Sequence, residues 1–184
     1  MDLASFKFSP LLPADTLDSF DCDWNDINEF LKEDAKFYQK ELLSNTFIFW
    51  DHTDSVAAFF SISNNALSKD SGSFFTNNVW NRLHRAIDLP NEKRIKQYPA
   101  VLVGRLGVHK KYHGTGTAYQ LMDFIKQYAV EDAKPACRLL LLDAVNQPKQ
   151  INYYTQNDFA FLFPDDKDEE TRFMYFDLDR LRLD

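Results

Sequence analysis

The stretch that most constrains this chain begins at Ala100. Ala100-Val101-Leu102-Val103-Gly104-Arg105-Leu106-Gly107-Val108 reads as a β-strand, and Lys111-Tyr112-His113-Gly114-Thr115-Gly116 follows it directly. Next comes a helix whose apolar face is Ala118, Leu121, Met122, Ile125 and Ala129. A strand, a Gly-x-Gly turn and a helix form an anion-binding arrangement, because amides at a helix start point to one place and the helix dipole favours negative charge there. Glycine lets the backbone approach the anion without a Cβ in the way. Two phosphate-binding patterns are excluded. A Walker A loop needs Gly-Lys-Ser/Thr, whereas Gly116 is followed by Thr117-Ala118. A dinucleotide fingerprint needs a further glycine where Tyr119 stands. Taken alone, Gly-x-Gly is more often a tight turn than a ligand site.

The rest of the chain supplies an α/β (α+β) frame. Ser5 to Leu12 reads as a short first strand. Asp23-Trp24-Asn25-Asp26 offers helix N-cap residues. Ile27, Phe30, Leu31, Ala35, Tyr38 and Leu42 then recur at helical spacing. Thr46 to Trp50 and Ser55 to Ile62 read as strands joined by Asp51-His52-Thr53-Asp54. From about residue 63 to 99 the chain reads as an insertion with one helix, Val79 to Ile87, within a single domain spanning residues 1–184. Arg138 to Val145 is an apolar strand of the kind covered on both faces. A short helix around Lys149 to Gln156 follows. Phe159 to Phe163 and Thr171 to Leu178 form a last pair of strands around an acidic loop.

Composition narrows the function. Cys22 and Cys137 stand far apart, with no CxxC or Cys/His cluster, so free thiols and no metal site are expected. No basic and apolar leader and no run of ~20 apolar residues is evident, which leaves a cytoplasmic protein without a membrane partner as the expectation. The net charge of -7 disfavours indiscriminate nucleic-acid binding. Between Arg82 and Lys111 the balance reverses. Arg82, Arg85, Lys93, Arg94, Lys96, Arg105, Lys110 and Lys111 face only Asp88 and Glu92. This stretch is either a solvated insertion or a face for the phosphates of a cofactor or an RNA.

Val103-Gly104-Arg105-Leu106-Gly107-Val108-His109-Lys110-Lys111-Tyr112-His113-Gly114-Thr115-Gly116 resembles the acetyl-CoA motif of the GNAT family of N-acetyltransferases. In that motif a strand leads into Gln/Arg-x-x-Gly-x-Gly/Ala, and here Lys111 takes the Gln/Arg position. Downstream, Ile151-Asn152-Tyr153-Tyr154-Thr155-Gln156-Asn157-Asp158-Phe159 is similar to the family's Ala-x-x-Phe-Tyr-x-x-x-Gly-Phe, with Asp158 in place of the glycine. Phe20-Asp21-Cys22, Ile27-Asn28-Glu29-Phe30-Leu31, Ala35, the Thr46-led strand, the insertion and Pro99 resemble the toxin branch of the family, which belongs to toxin–antitoxin pairs. The likeness runs from about Phe20 to Phe176.

The resemblance implies a GNAT-like fold, a central mixed, mostly antiparallel sheet flanked by helices. It also implies acetyl transfer from acetyl-CoA to a primary amine by direct attack. Main-chain groups of Leu106, Gly107 and Val108 would pair with the pantetheine arm, and Lys111, Tyr112, His113, Gly114, Thr115, Gly116 and Thr117 would hold the pyrophosphate. Tyr154 would be the general acid that protonates the departing thiolate; the alternative is an aromatic packing residue. Asn146 would orient the pantetheine arm or the tyrosine, or else serve as a turn residue. His109, His113 and Asp143 are candidate bases, although an amine that arrives neutral needs none. Cys137 has no His partner for a covalent route. The implied partners are the acceptor amine, tRNA, an antitoxin protein and a second copy of the chain. The acceptor stays open between aminoacyl-tRNA and a small-molecule or protein amine, and a non-catalytic binding module is the rival class.

Overall fold

The computed structural model describes residues 2–68, 75–87, 95–132 and 136–182. The chain divides into two compact units, Met1–Ser63 with Val103–Ile125 and Asn64–Leu102 with Lys126–Asp184. Among the described residues seven strands follow the order β1-β2-β3-β4-β5-β7-β6. They are β1 (Lys7–Pro10), β2 (Asn45–Trp50), β3 (Val56–Ser68), β4 (Gln97–Val108), β5 (Leu139–Val145), β6 (Ala160–Phe161) and β7 (Thr171–Asp177). The helices are α1 (Asn25–Glu29), α2 (Ala35–Lys40), α3 (Asn77–Ile87), α4 (Thr117–Glu131) and α5 (Pro148–Gln156).

In the first unit β1 and β2 pair antiparallel, with Lys7 opposite Trp50 and Pro10 opposite Phe47. The β2–β3 pair is also antiparallel, closed by the turn at Asp51–Ser55. Leu11, Leu17, Phe20, Phe30, Leu31, Ala35, Ile48, Val56 and Phe59 form its core. A second aromatic layer joins Phe8, Phe49 and Phe124, with ring centroids 4.7 to 5.0 Å apart. The phenylalanine-rich composition is thus spent on both faces of β2.

The single amphipathic helix expected after Asp23 is two α-helical pieces joined by a π-helical turn at Phe30–Asp34. Its N-terminus lacks a side-chain cap at Trp24. Asn28 fastens it instead, accepting the Cys22 amide at 3.0 Å and donating to Asp21 at 3.1 Å. The wider turn keeps Phe30, Leu31 and Ala35 all buried, a periodicity that a straight 3.6-residue repeat meets less well.

In the second unit β5 and β7 pair from Leu139↔Asp177 to Val145↔Thr171, and β6 adds Ala160↔Tyr175 and Phe161↔Met174. Leu139, Leu140, Leu141 and Leu142 are all buried, as expected of a strand covered on both faces. The core joins Leu67, Trp80, Leu83, Ile87, Tyr98, Leu139, Leu141 and Leu162, so α3 packs its apolar stripe on this sheet. β3 continues through Ser63-Asn64-Asn65 to Ser68, where polarity alone suggested an irregular start to the insertion. The final expected strand, Phe159 to Phe163, reduces to Ala160–Phe161.

Candidate active site

The glycine loop lies wholly in the first unit. β4 ends at Val108, Lys110–Tyr112 forms a 3-10 turn, and α4 starts at Thr117. Gly114 and Gly116 hold φ of +75° and +83°, the left-handed region in which a side chain strains the backbone. A Cβ at either would meet nothing within 4 Å. These glycines are therefore required by backbone conformation, and they leave the space before α4 open.

The amides of Gly114, Gly116 and Thr117 donate to no acceptor among the described residues. Those of Tyr112 and His113 close the 3-10 turn on His109 and Lys110 carbonyls at 2.8 and 3.1 Å, and the Thr115 amide makes a long 3.4 Å contact with the Tyr112 carbonyl. The sequence motif points to donors throughout Tyr112–Thr117, whereas the geometry concentrates them at Gly114, Gly116 and Thr117. Thr115 Oγ1 donates to the Tyr112 carbonyl at 2.8 Å and lies 2.7 Å from Thr117 Oγ1, which ties the loop across its own opening. Open amides, free space and a helix start fit a pyrophosphate.

The residues around the loop hold it in place. Tyr112 is buried and donates to Asp51 Oδ2 at 2.7 Å. Asp51 also accepts the Thr53 amide at 2.8 Å, the Thr53 hydroxyl at 2.6 Å and the Ser55 amide at 3.1 Å. Burial alone would raise its pKa. The hydrogen bonds from Thr53, Tyr112 and Ser55 outweigh that and hold its carboxyl well below the usual carboxylate range. Lys111 Nζ stands 3.5 Å from the same carboxylate and 5.3 Å from the Tyr112 ring centroid. Lys110 pairs with Asp21 at 2.7 Å. Asp51 is a supporting residue that the motif did not point to.

Both candidate histidines here have structural bonds. His109 Nδ1 accepts the Lys111 amide at 3.1 Å, and its Nε2–H donates to the Ser19 carbonyl at 3.2 Å. That pair of bonds fixes the neutral tautomer with its basic nitrogen occupied. His113 Nε2–H donates to the Val108 carbonyl at 3.0 Å, and its Nδ1 lies 3.8 Å from Asp23. Of the pantetheine-pairing candidates, Leu106 is half-buried, and Gly107 and Val108 are buried. A Cβ at Gly107 would stand 2.9 Å from both Ile27 Cγ2 and Phe59 Cε1, so packing requires this glycine.

Tyr154 and Asn146 belong to the second unit. Tyr154 sits on α5, its ring 5.0 Å from Tyr153 and 6.0 Å from Phe159. By surface area it is only half-buried, yet the protein packed around its hydroxyl pushes its pKa up to about 12. No hydrogen bond engages that hydroxyl among the described residues. The phenol is therefore protonated at neutral pH. Asp158 adopts φ of +62° itself, so the turn after α5 keeps the conformation that the family's glycine would supply. Asn146 donates both amide protons to the Lys167 and Glu169 carbonyls, at 2.9 and 2.8 Å, and pins the acidic loop. Asp143 is exposed on β5 and is not a buried structural carboxylate.

Within the basic segment Lys93 and Arg94, like Asp88 and Glu92, lie outside the described residues. Arg82 donates to the Leu162 carbonyl, and Arg105 to that of Gly104 at 2.8 Å. Arg85 and Lys96 are exposed. Among the described residues no group of His, Cys, Asp and Glu is arranged to hold a metal, and no helix is long and apolar enough to cross a membrane.

Solved structures share this architecture across nearly the whole chain. An AtaT toxin carrying a tyrosine-to-phenylalanine mutation, bound to the C-terminus of the antitoxin AtaR and acetyl-CoA, matches with a TM-score of 0.66 and 14% identity, over 96% of this chain and 95% of that one. A tyrosine-to-phenylalanine mutant of KacT matches with a TM-score of 0.68 and 17% identity, over 95% of this chain and 99% of that one. AtaT complexed with acetyl-methionyl-tRNAfMet matches with a TM-score of 0.68 and 16% identity, over 96% of this chain and 97% of that one. This is the GNAT fold. No protein-family model matches the sequence, and no curated protein does. The likeness is one of backbone architecture over nearly the whole chain.

Proposed function

We propose that this chain moves an acetyl group from acetyl-CoA to a primary amine, and that the acceptor is the α-amine of an aminoacyl-tRNA. One observation carries the cofactor reading. The amides of Gly114, Gly116 and Thr117, at the start of α4, have no acceptor among the described residues and are left for a pyrophosphate. Leu106, Gly107 and Val108 offer main-chain groups to the pantetheine arm.

The chemistry asked of the side chains is small. An amine that arrives neutral attacks the thioester carbonyl carbon and sheds its proton to water, and the C–S bond breaks. Tyr154 gives its phenolic proton to the departing thiolate and regains one from solvent. The bonds that occupy His109 remove it from the role of base. The aminoacyl-tRNA acceptor draws support from the overall likeness to AtaT, whose complex with acetyl-methionyl-tRNAfMet has this fold. The same likeness supports an antitoxin as protein partner.

A small-molecule or protein amine is the second reading. It is favoured by the net charge of -7 and by the pairing of Lys110 with Asp21 and of Lys111 with Asp51.

Calorimetric titration with acetyl-CoA, beside a Gly114→Glu variant, tests the loop. Saturable binding by the natural chain, lost in the variant, is expected; no binding by the natural chain overturns the assignment. Radiolabelled acetyl-CoA offered with charged tRNA, with polyamines and with peptides then tests the acceptor. Label in the tRNA fraction supports the first reading, and label only in the others replaces it. Growth arrest on expression, relieved by Tyr154→Phe, is the cellular counterpart expected of a toxin.

A further inference from the structure

Lys126 is 95% buried by area yet carries an ammonium group, a placement that costs free energy unless its donors are satisfied. It lies on α4, within the second unit. Its Nζ donates to the Asn157 carbonyl at 2.8 Å. It also stands over the Phe176 ring, 4.4 Å from the centroid, and 5.8 Å from that of Phe159.

Asn157 is the C-cap of α5. There the chain closes in a Schellman motif. The Phe159 amide donates to the Tyr154 carbonyl at 3.1 Å, and the Asp158 amide to the Thr155 carbonyl at 3.0 Å, while Asp158 holds the left-handed conformation. The Phe159 and Tyr154 rings make the apolar contact that accompanies this motif, 6.0 Å apart. Asn157 Nδ2 adds a bond to the Tyr153 carbonyl at 2.7 Å. The Lys126 cation therefore meets the negative end of the α5 dipole and the ring of Phe159, which packs on Tyr154.

We infer that Lys126 is a positioning residue for Tyr154: its buried ammonium locks the C-terminal turn of α5 and so fixes where the phenol sits. This rests on the catalytic reading of Tyr154 given above. A hydroxyl that must be held to a fraction of an ångström needs neighbours whose own positions are locked by packing and hydrogen bonds.

The test is a double-mutant cycle on acetyl transfer, with Lys126→Met, Tyr154→Phe and the pair together, in chains whose melting transitions show them folded. Lys126→Met is expected to lower kcat by about 10- to 100-fold with the KM for acetyl-CoA unchanged, because misplacement by about an ångström costs that much. In the Tyr154→Phe background the same change is expected to have no further effect. Equal losses in both backgrounds, or a loss expressed in KM, would overturn the inference while leaving Tyr154 catalytic. Full activity of Tyr154→Phe itself would overturn the catalytic reading and this inference with it. If Lys126→Met does not fold, Lys126→Arg takes its place in the same cycle. Arginine keeps charge and donors but shifts them, so kcat should fall several-fold only where Tyr154 is present, and equal falls in both backgrounds reject the inference.

Discussion

Tyr154 shows how burial alone can hold a side chain in one protonation state. Its phenol lacks a charged neighbour to stabilise the anion, so desolvation alone pushes its pKa up to about 12. The proton is thus present at neutral pH. Replacing Tyr154 by Phe should lower kcat by about 10²- to 10⁴-fold. If Tyr154 is the acid, kcat should show no descending limb on the alkaline side below about pH 11, since it stays protonated there; a fall near pH 8 to 9 would assign the acid to another group. Asp51 is the opposite case. Its folded-state pKa lies below the unfolded value of about 3.9, so the ionised form favours folding. That stabilisation is whole above about pH 5 and is lost as the pH falls through 4 and below. Asp51→Asn should lower the urea midpoint at pH 7, and the gap to the natural chain should narrow below pH 4. Gly114 and Gly116 were legible in the sequence because the motif is local. Asp51 was not, because its partner Tyr112 is 61 residues away and only the fold brings them together.

Elements set by a local period were legible, and those set by distant packing were not. β5 announces itself as a continuous apolar run, and the α4 face recurs at helical spacing. The π turn at Phe30–Asp34 breaks no sequence rule; it follows from fitting Phe30, Leu31 and Ala35 into one core. The end of α2 carries a different signature. The Leu43 amide donates to the Tyr38 carbonyl at 2.8 Å and the Leu42 amide to that of Gln39 at 3.2 Å, a Schellman closure with Leu42 at φ +59°. A leucine pays for this conformation without burial, being 90% exposed. Leu42→Gly should raise stability by about 1 kcal/mol, measured by denaturant unfolding, and a loss of stability would show that this side chain has a partner. Gly107→Ala should act in the other direction. Its Cβ meets ring and methyl carbons of Phe59 and Ile27 at 2.9 Å, so overpacking should cost about 1 to 3 kcal/mol even though strand geometry tolerates alanine.

At the scale of the whole molecule, fold and charge bear on the acceptor from opposite sides. The architecture is shared with AtaT and KacT at TM-scores of 0.66 to 0.68, although identity is only 14 to 17%. A backbone can persist through that much substitution because period, turn geometry and glycine placement specify it, whereas a surface charge pattern is free to drift. The charge here is net negative, and several exposed cations of the basic segment already have a partner in the protein: Lys110 with Asp21, Lys111 with Asp51, Arg82 with the Leu162 carbonyl. Arg85 and Lys96 remain exposed in the second unit. If aminoacyl-tRNA is the acceptor, its phosphates need exposed cations, and these two are candidates among the described residues. Reversing both charges, with Arg85→Glu and Lys96→Glu, should raise the KM for charged tRNA about tenfold or more and leave that for acetyl-CoA unchanged. With only two or three phosphate contacts, log affinity for tRNA should fall against log salt with a slope of about 2. A slope of about 6 or more would mean a larger basic face at work. Insensitivity of the tRNA reaction to both salt and charge reversal would turn the search to a small or protein amine, for which an acidic surface is no obstacle.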